Sequence, residues 1–280
     1  MMKETRAEYL AVDKLRPFDE HPFKVVDNEE MDQLTWSILT QGLLTPLVVR
    51  PLPNGEYEVI SGHRRLHACK KAGIETVPAL IYAIDRDAAA IALVDSNLQR
   101  EHILPSEKAF AYKLKLEAMN HQGRTSGQVG QKWTRDEIAE GESGRQVQRY
   151  IRLTNLIPGV LQKVDEGRIA LTPAVELSYL TDAEQEDLLE TMESEDCTPS
   201  LSQAIQMKAL SQSGQLDMDT IFHIMTQPKA NQQEKISFKV AELRDYFPRH
   251  YTAAQMMQEI ILAVKERQQR LQRQRNRDAR

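Results

Sequence analysis

Between residues 28 and 42 apolar side chains recur at helical spacing. Met31, Leu34, Ile38 and Leu39 form one face, Asn28 offers a cap oxygen and Gly42 a stop. The pattern then shortens to strand period. "PLVVRPLPNGEYEVIS" reads as a hairpin, because Asn54-Gly55 supplies the positive φ angles of a tight turn between two β-rich runs. A helix over 62–72 ends at Gly73, "TVPALIYA" is a further strand, and helices follow over about 85–99 and 106–121, the second capped by Ser106. Residues 1–104 are expected to form a small α+β domain.

After "NHQGRTSGQVGQKW", rich in Gly, Ser and Thr, strand signals vanish until about 235. The stretch 105–230 is expected to be helical. Gly167 closes one helix there, and Thr172-Pro173 and Thr181-Asp182-Ala183-Glu184 open others, the last as a capping box. A third unit, 231–280, reads as a short strand and then an amphipathic helix from about Thr252. Its Met256, Ile260 and Val264, flanked by Met257 and Ile261, make an apolar face too wide for an isolated helix. Packing into a core and a seam between two subunits both satisfy such a face.

Composition changes this picture little. The 280 residues are 41% hydrophobic and 28% charged, as in ordinary globular chains. No run is long and apolar enough for a membrane span, the N-terminus lacks the apolar core of a signal peptide, and two cysteines cannot build a disulfide framework, so a reducing cytoplasm is expected. Charge changes it more. The net value is −5, but residues 265–280 carry seven Lys or Arg against two acids, leaving −10 for the remainder. That tail is either a solvated basic helix end or an arm that steers nucleic acid.

Candidate chemistry concentrates in three places. In "SGHRR" an arginine pair stands where a helix begins, which the helix dipole disfavours unless an anion offsets it. Gly62 admits close backbone approach, and Arg64 or Arg65 can fork onto a phosphate; equally, both arginines can simply be solvated. His63 and His67 lie one turn apart, but no carboxylate or cysteine completes a metal set, and Cys69 falls on the inferred buried face. At 93–118, Asn97, Gln99, Arg100 and Glu101 gather at a bend before Pro105-Ser106, as an inter-helix network or as a ligand site. In "TRDEIAEGESGRQVQRYIRLTNL", Thr134 caps a short helix, Gly141 turns and Ser143 caps a second. Val147, Ile151 and Tyr150 face inward there, while Arg145, Gln146, Gln148, Arg149 and Arg152 face outward. This is helix-turn-helix grammar with side chains suited to guanine and adenine edges.

Taken together, "LRPFDEHPF", "GLLTPLVVR", "ISGHRRLHACKKAG" and "DSNLQREHILPSEKA" resemble the successive boxes of ParB-like partition proteins, over about 10–225. The resemblance implies a ParB/sulfiredoxin-like α+β domain, an all-α helix-turn-helix domain and a small C-terminal α+β dimerisation unit. It also implies CTP and Mg2+ between the first arginine box and the "NLQRE" box. By that resemblance Gly62, Arg64 and Arg65 hold the triphosphate, Ser61 and His63 belong to the same nucleotide-binding box, Asn97 lies by the metal, and Gln99, Arg100 and Glu101 flank the nucleotide. Ser143, Arg145, Gln146, Gln148, Arg149 and Arg152 meet double-stranded DNA. The family often has glutamate where this chain has His63 and Ser96, so phosphate binding is expected more firmly than hydrolysis, because hard cations want oxygen ligands. Sulfiredoxin shares the fold but carries a reactive cysteine in the loop that here reads "SGHRR".

The expectation is a cytoplasmic, sequence-specific partition protein working as a CTP-responsive dimeric clamp, with at most weak CTP hydrolysis as a switch and a motor ATPase as partner. The alternative is a nucleotide-independent regulator of a plasmid or mobile element that uses the same helix-turn-helix. One irregularity bears on both. Ala139 and Val147 are eight residues apart, where about ten are usual, so the turn is expected to be short.

Overall fold

A five-stranded mixed sheet organises the N-terminal part of the computed structural model, which describes residues 6–100, 102–125, 142–227, 243–248 and 250–278. Strands β1 (Arg6–Ala11), β2 (Leu15–Pro17), β3 (Leu47–Pro51), β4 (Tyr57–Ser61) and β5 (Thr76–Ile81) lie in the order β1-β5-β3-β4-β2. The β3–β4 hairpin is the expected one, closed by Gly55 at φ 81°, and its register shifts between Val48 and Val49. Alternation then divides the apolar residues between two faces. Leu47, Val49 and Val59 pack with Met31 and Ile38 of α1 (Glu29–Gln41) and with Leu66 and Cys69 of α2 (His63–Lys71). Ile60 and Val48 turn the other way, toward Phe18, Phe23 and the Ala89, Leu93 and Val94 stripe of α3 (Arg86–Leu98).

The local signals account for most boundaries. Asn28 Oδ1 accepts the Met31 N–H at 3.1 Å, and Gly42 ends α1 at φ 75°. Leu39, expected on the apolar face of α1, is instead exposed: the core side of the helix is narrower than its apolar stripe. Strands β1 and β2 go beyond the elements that patterning predicts. Charged and exposed positions dilute the alternation in both, and each lies at an edge of the sheet, where only one neighbour constrains it.

Beyond the sheet the chain is helical: α4 (Pro105–Thr125), α5 (Gly144–Arg152), α6 (Pro158–Asp165), α7 (Leu171–Leu177), α8 (Asp182–Ser194), α9 (Leu201–Gln212) and α10 (Met218–Thr226). Ser106 is not the cap of α4. The helix starts one residue earlier, and the Glu107 carboxylate accepts the Leu104 N–H at 3.1 Å instead. Thr172-Pro173 likewise falls inside α7, whose cap position is Ala170. The Thr181–Glu184 capping box is present in both directions. At the centre of this layer Gln185 is fully buried; its amide accepts from Ile157 N and donates to the carbonyls of Asn155 and Leu180, so no polar atom is stranded.

Residues Met1–Gln227 form one compact unit and Pro228–Arg280 another. The second contains α11 (Ala253–Asp278), in which Met256 is buried. Met257, Ile261, Leu262 and Val264 are exposed among the described residues, so only part of the apolar face expected there, at Met256, is buried. The expected short strand after 231 falls within 228–242, outside the described residues, as do Thr134, Ala139 and Gly141 of the first helix-turn-helix element.

Candidate functional site

Gly62 caps α2 in the left-handed region, at φ 105° and ψ 25°. A side chain is excluded there twice over: that backbone strains any L-residue, and a Cβ would stand 2.6 Å from Leu47 Cδ2. Ser61 ends β4 opposite Val48, directly before this turn. The helix N-terminus therefore opens at the end of a strand, with its first N–H groups available to an anion.

The two arginines are already engaged. Arg65 donates to the Thr45 and Pro46 carbonyls at 2.6 and 3.0 Å, tying α2 to the segment that leads into β3. Arg64 pairs with Glu30 at 3.0 Å. His67 Nε2 lies 3.0 Å from Asp27 Oδ1, and Lys71 reaches Asp27 and Asp32 at 3.3 and 2.7 Å. The outer face of α2 is thus answered by the acids that open α1, where a helix dipole also favours them.

His63 is half-buried and neutral. Its Nε2 accepts the Phe18 N–H at 3.3 Å, its other hydrogen bond is to the Val59 backbone, and its ring centroid is 3.7 Å from that of His21. Burial, followed by the neighbouring His21, pushes its ionisation down to about 3. Burial, and more weakly the charge of Arg100, also lowers His21, against Glu107 and the Phe23 backbone. His21 thus lies against His63 of the first arginine box and also feels the charges of Glu107 and, more weakly, Arg100. Asn97 donates to Leu93 O at 2.8 Å, Ser96 Oγ donates to the same carbonyl at 2.9 Å, and Gln99 and Arg100 are exposed. Glu101 is outside the described residues.

These residues fit an anion better than a metal. Both His63 nitrogens are used, His67 faces Asp27, and the Ser96 hydroxyl and Asn97 amide turn back onto their own helix. No group of three or more His, Cys, Asp or Glu suited to a metal exists among the described residues. The donor set does not fit Mg2+, which needs several oxygens. Cys69 is buried and its thiol is pushed up by that burial, the opposite of an activated nucleophile.

Sequence patterning carries no sign of the polar junction beside this site. Glu107 accepts the Lys24 and Leu104 backbone N–H groups at 2.8 and 3.1 Å. Asp165, at the end of α6, accepts the Ser106 N–H and hydroxyl at 2.9 and 2.6 Å and pairs with Lys24 Nζ at 3.1 Å. The loop that carries His21 is therefore fastened to the α3–α4 bend and to the helical layer.

In the helical layer Ser143 Oγ caps α5 by accepting the Gln146 N–H at 3.3 Å. Val147 is buried against Tyr112 and Met119, with Tyr150 and Ile151 beside it. Arg145 is exposed, and Gln146 and Gln148 are partly so. Arg149 donates to Gln146 Oε1 and Thr172 Oγ1 at 3.2 and 2.6 Å, and Arg152 is held by Ser178 and Tyr179.

Residues 1–98 match the ParB N-terminal domain family. A probable chromosome-partitioning protein ParB of Vibrio cholerae is 30% identical over 87% of this chain and 80% of its own length. The chromosome-partitioning protein Spo0J of Thermus thermophilus is 36% identical over 64% of this chain and 61% of its own. A C-terminally truncated ParB of Caulobacter crescentus, complexed to the centromeric parS site, is 24% identical over 74% of this chain and 99% of that one, at a TM-score of 0.43. The match to the Vibrio cholerae protein over most of both chains, with the family match over residues 1–98, defines the chain as a ParB-type partition protein. The chain belongs to the ParB family.

Proposed function

We propose that this chain is a sequence-specific DNA-binding partition protein, a CTP-responsive dimeric clamp that acts in the cytoplasm on a centromere-like duplex with a motor ATPase as partner. Kinship with the Vibrio cholerae partition protein over most of that relative's length carries the reading. Among the described residues no helix is long and apolar enough to cross a membrane.

Within this reading Ser61, Gly62 and the α2 N-terminus receive the phosphates, Arg64 leaves Glu30 to join them, and Arg65 holds the cradle's shape through the 45 and 46 carbonyls. Asn97, Gln99, Arg100 and Glu101 border the nucleotide, which supplies the polyanionic charge when bound. His63 keeps the 18–24 loop against the cradle by accepting the Phe18 N–H. We assign no hydrolytic step. Ser143 caps α5, and Arg145, Gln146 and Gln148 read bases and phosphates in the major groove. The exposed apolar stripe of α11 pairs two subunits, and the basic tail neutralises phosphates.

One observation favours the nucleotide-independent regulator instead: both arginines of the first box already have protein partners. Calorimetry with CTP, with and without Mg2+, separates the two readings. Saturable binding at sub-millimolar nucleotide supports the clamp, and no heat at millimolar CTP leaves the regulator. Sequencing the DNA crosslinked to the protein in cells identifies the duplex under either outcome.

A further inference from the structure

Arg152 is the last residue of α5, and its guanidinium is taken up within the helical layer. Its Nε donates to Ser178 Oγ at 3.1 Å and a terminal nitrogen donates to the Ser178 carbonyl at 3.2 Å. The guanidinium carbon is 3.7 Å from the centroid of the Tyr179 ring. Lys208 of α9 approaches the same centroid, also at 3.7 Å, while its ammonium is held 2.8 Å from Glu176 Oε2. Two cations from two helices thus share one aromatic ring, and Ser178, which anchors the fork, is buried.

A guanidinium suits this position because its plane can stack on a ring while its edge donates in a fixed direction; an ammonium cannot do both. Arg149 performs a related task at the other end of α7, where it reaches Thr172. Helix α5 is therefore tied to α7 near both of the latter's ends.

We infer that Arg152 is a positioning residue rather than a DNA contact: Tyr179, braced by Lys208, and Ser178 fix the C-terminal end of α5 and thereby the angle at which Arg145, Gln146 and Gln148 meet a duplex. The inference rests on the DNA-binding reading above. It reassigns Arg152 from the group of readers, and it gives Tyr179 and Lys208 a role that sequence patterning does not suggest.

The test uses the full chain and a duplex carrying the site recovered by sequencing crosslinked DNA, titrated at several salt concentrations well below the melting temperature of every variant. Arg152→Ala and Tyr179→Leu should each weaken binding about tenfold, and the double variant no more than either alone, since both remove the same stacking interaction. Their plots of log affinity against log salt should keep the wild-type slope, whereas Arg145→Ala should flatten it by about 0.9, the value for one neutralised phosphate. Tyr179→Phe keeps the ring and should bind as the wild type does, a rescue that general loss of packing would not give. A flattened slope for Arg152→Ala, or undiminished binding by Tyr179→Leu, overturns the inference. A wild-type chain that binds no duplex at any salt overturns the DNA reading itself, and that is seen before any variant is made.

Discussion

The imidazoles of His21 and His63 stack with centroids 3.7 Å apart and a 40° tilt, a contact that two charged rings would oppose. His63 ionises at about 3 in the fold, against about 6.5 in an unfolded chain. Between those values the unfolded chain binds more protons, so stability is complete above about pH 6.5 and falls as pH drops toward 3. The slope approaches ~1.4 kcal/mol per pH unit, about 2 kcal/mol by pH 5. His21 is shifted in the same direction. Urea titrations at pH 7.5 and pH 5 measure this, and His63→Gln should shrink the difference. Equal stability at both pH values would rule the pair out as a source of acid sensitivity.

The two arginines of the first box should separate by phenotype. Arg65→Ala removes donors to two backbone carbonyls and should lower stability by about 1–3 kcal/mol. Arg64→Ala removes only an exposed pair with Glu30, worth under ~1 kcal/mol, and should spare the melting temperature while weakening CTP binding. Glu30→Gln should do the reverse and tighten CTP. Calorimetry and thermal melts on the three variants decide; unchanged CTP affinity in Arg64→Ala would take that residue out of the phosphate site.

On α11, Met257, Ile261, Val264 and Leu271 are all exposed and follow a spacing of four, three and seven, as in a heptad seam. Deleting 235–280 should convert a dimer to a monomer in light scattering. A truncated chain that stays dimeric would place the subunit interface elsewhere.

Base reading and charge steering should also separate. Gln148→Ala should cost about 1–3 kcal/mol on the cognate duplex and little on random DNA. Truncation after Val264 should weaken both duplexes alike and flatten the salt dependence by nearly one log unit for each phosphate that the tail no longer neutralises. Binding at two salt concentrations checks both, and equal weakening on both duplexes for Gln148→Ala would remove it from the reading face.

The parts of the fold legible in the sequence are those set by short-range chemistry. Asn28 and Gly42 bound α1, Asn54-Gly55 turns the hairpin, and the Thr181–Glu184 box starts α8, because each acts within four residues of chain. Edge strands β1 and β2 are not legible, since their pairing partners lie tens of residues away. The site divides in the same manner. The glycine and arginines of the first box stand out as motifs, yet the partners that determine their state, Glu30, Thr45 and Pro46, are an exposed side chain and backbone carbonyls without a pattern. His21 falls within the "LRPFDEHPF" box, but its contact with His63 is not legible there, because it exists only once the loop folds back over that residue.

The fastening of Lys24 to Glu107 and Asp165 has a mechanical consequence. One lysine contributes its backbone N–H to the carboxylate that starts α4 and its ammonium to the carboxylate that ends α6, while Ser106 closes the circuit between them. A loop tethered at a single point can swing alone; one tethered through a closed ring of four residues transmits its displacement. Any ligand that shifts the His21 segment must therefore either drag the first turn of α4 and the last turn of α6 with it or break a charge-assisted bond. The amide of Ser106 would register either event as a change in its rate of hydrogen exchange.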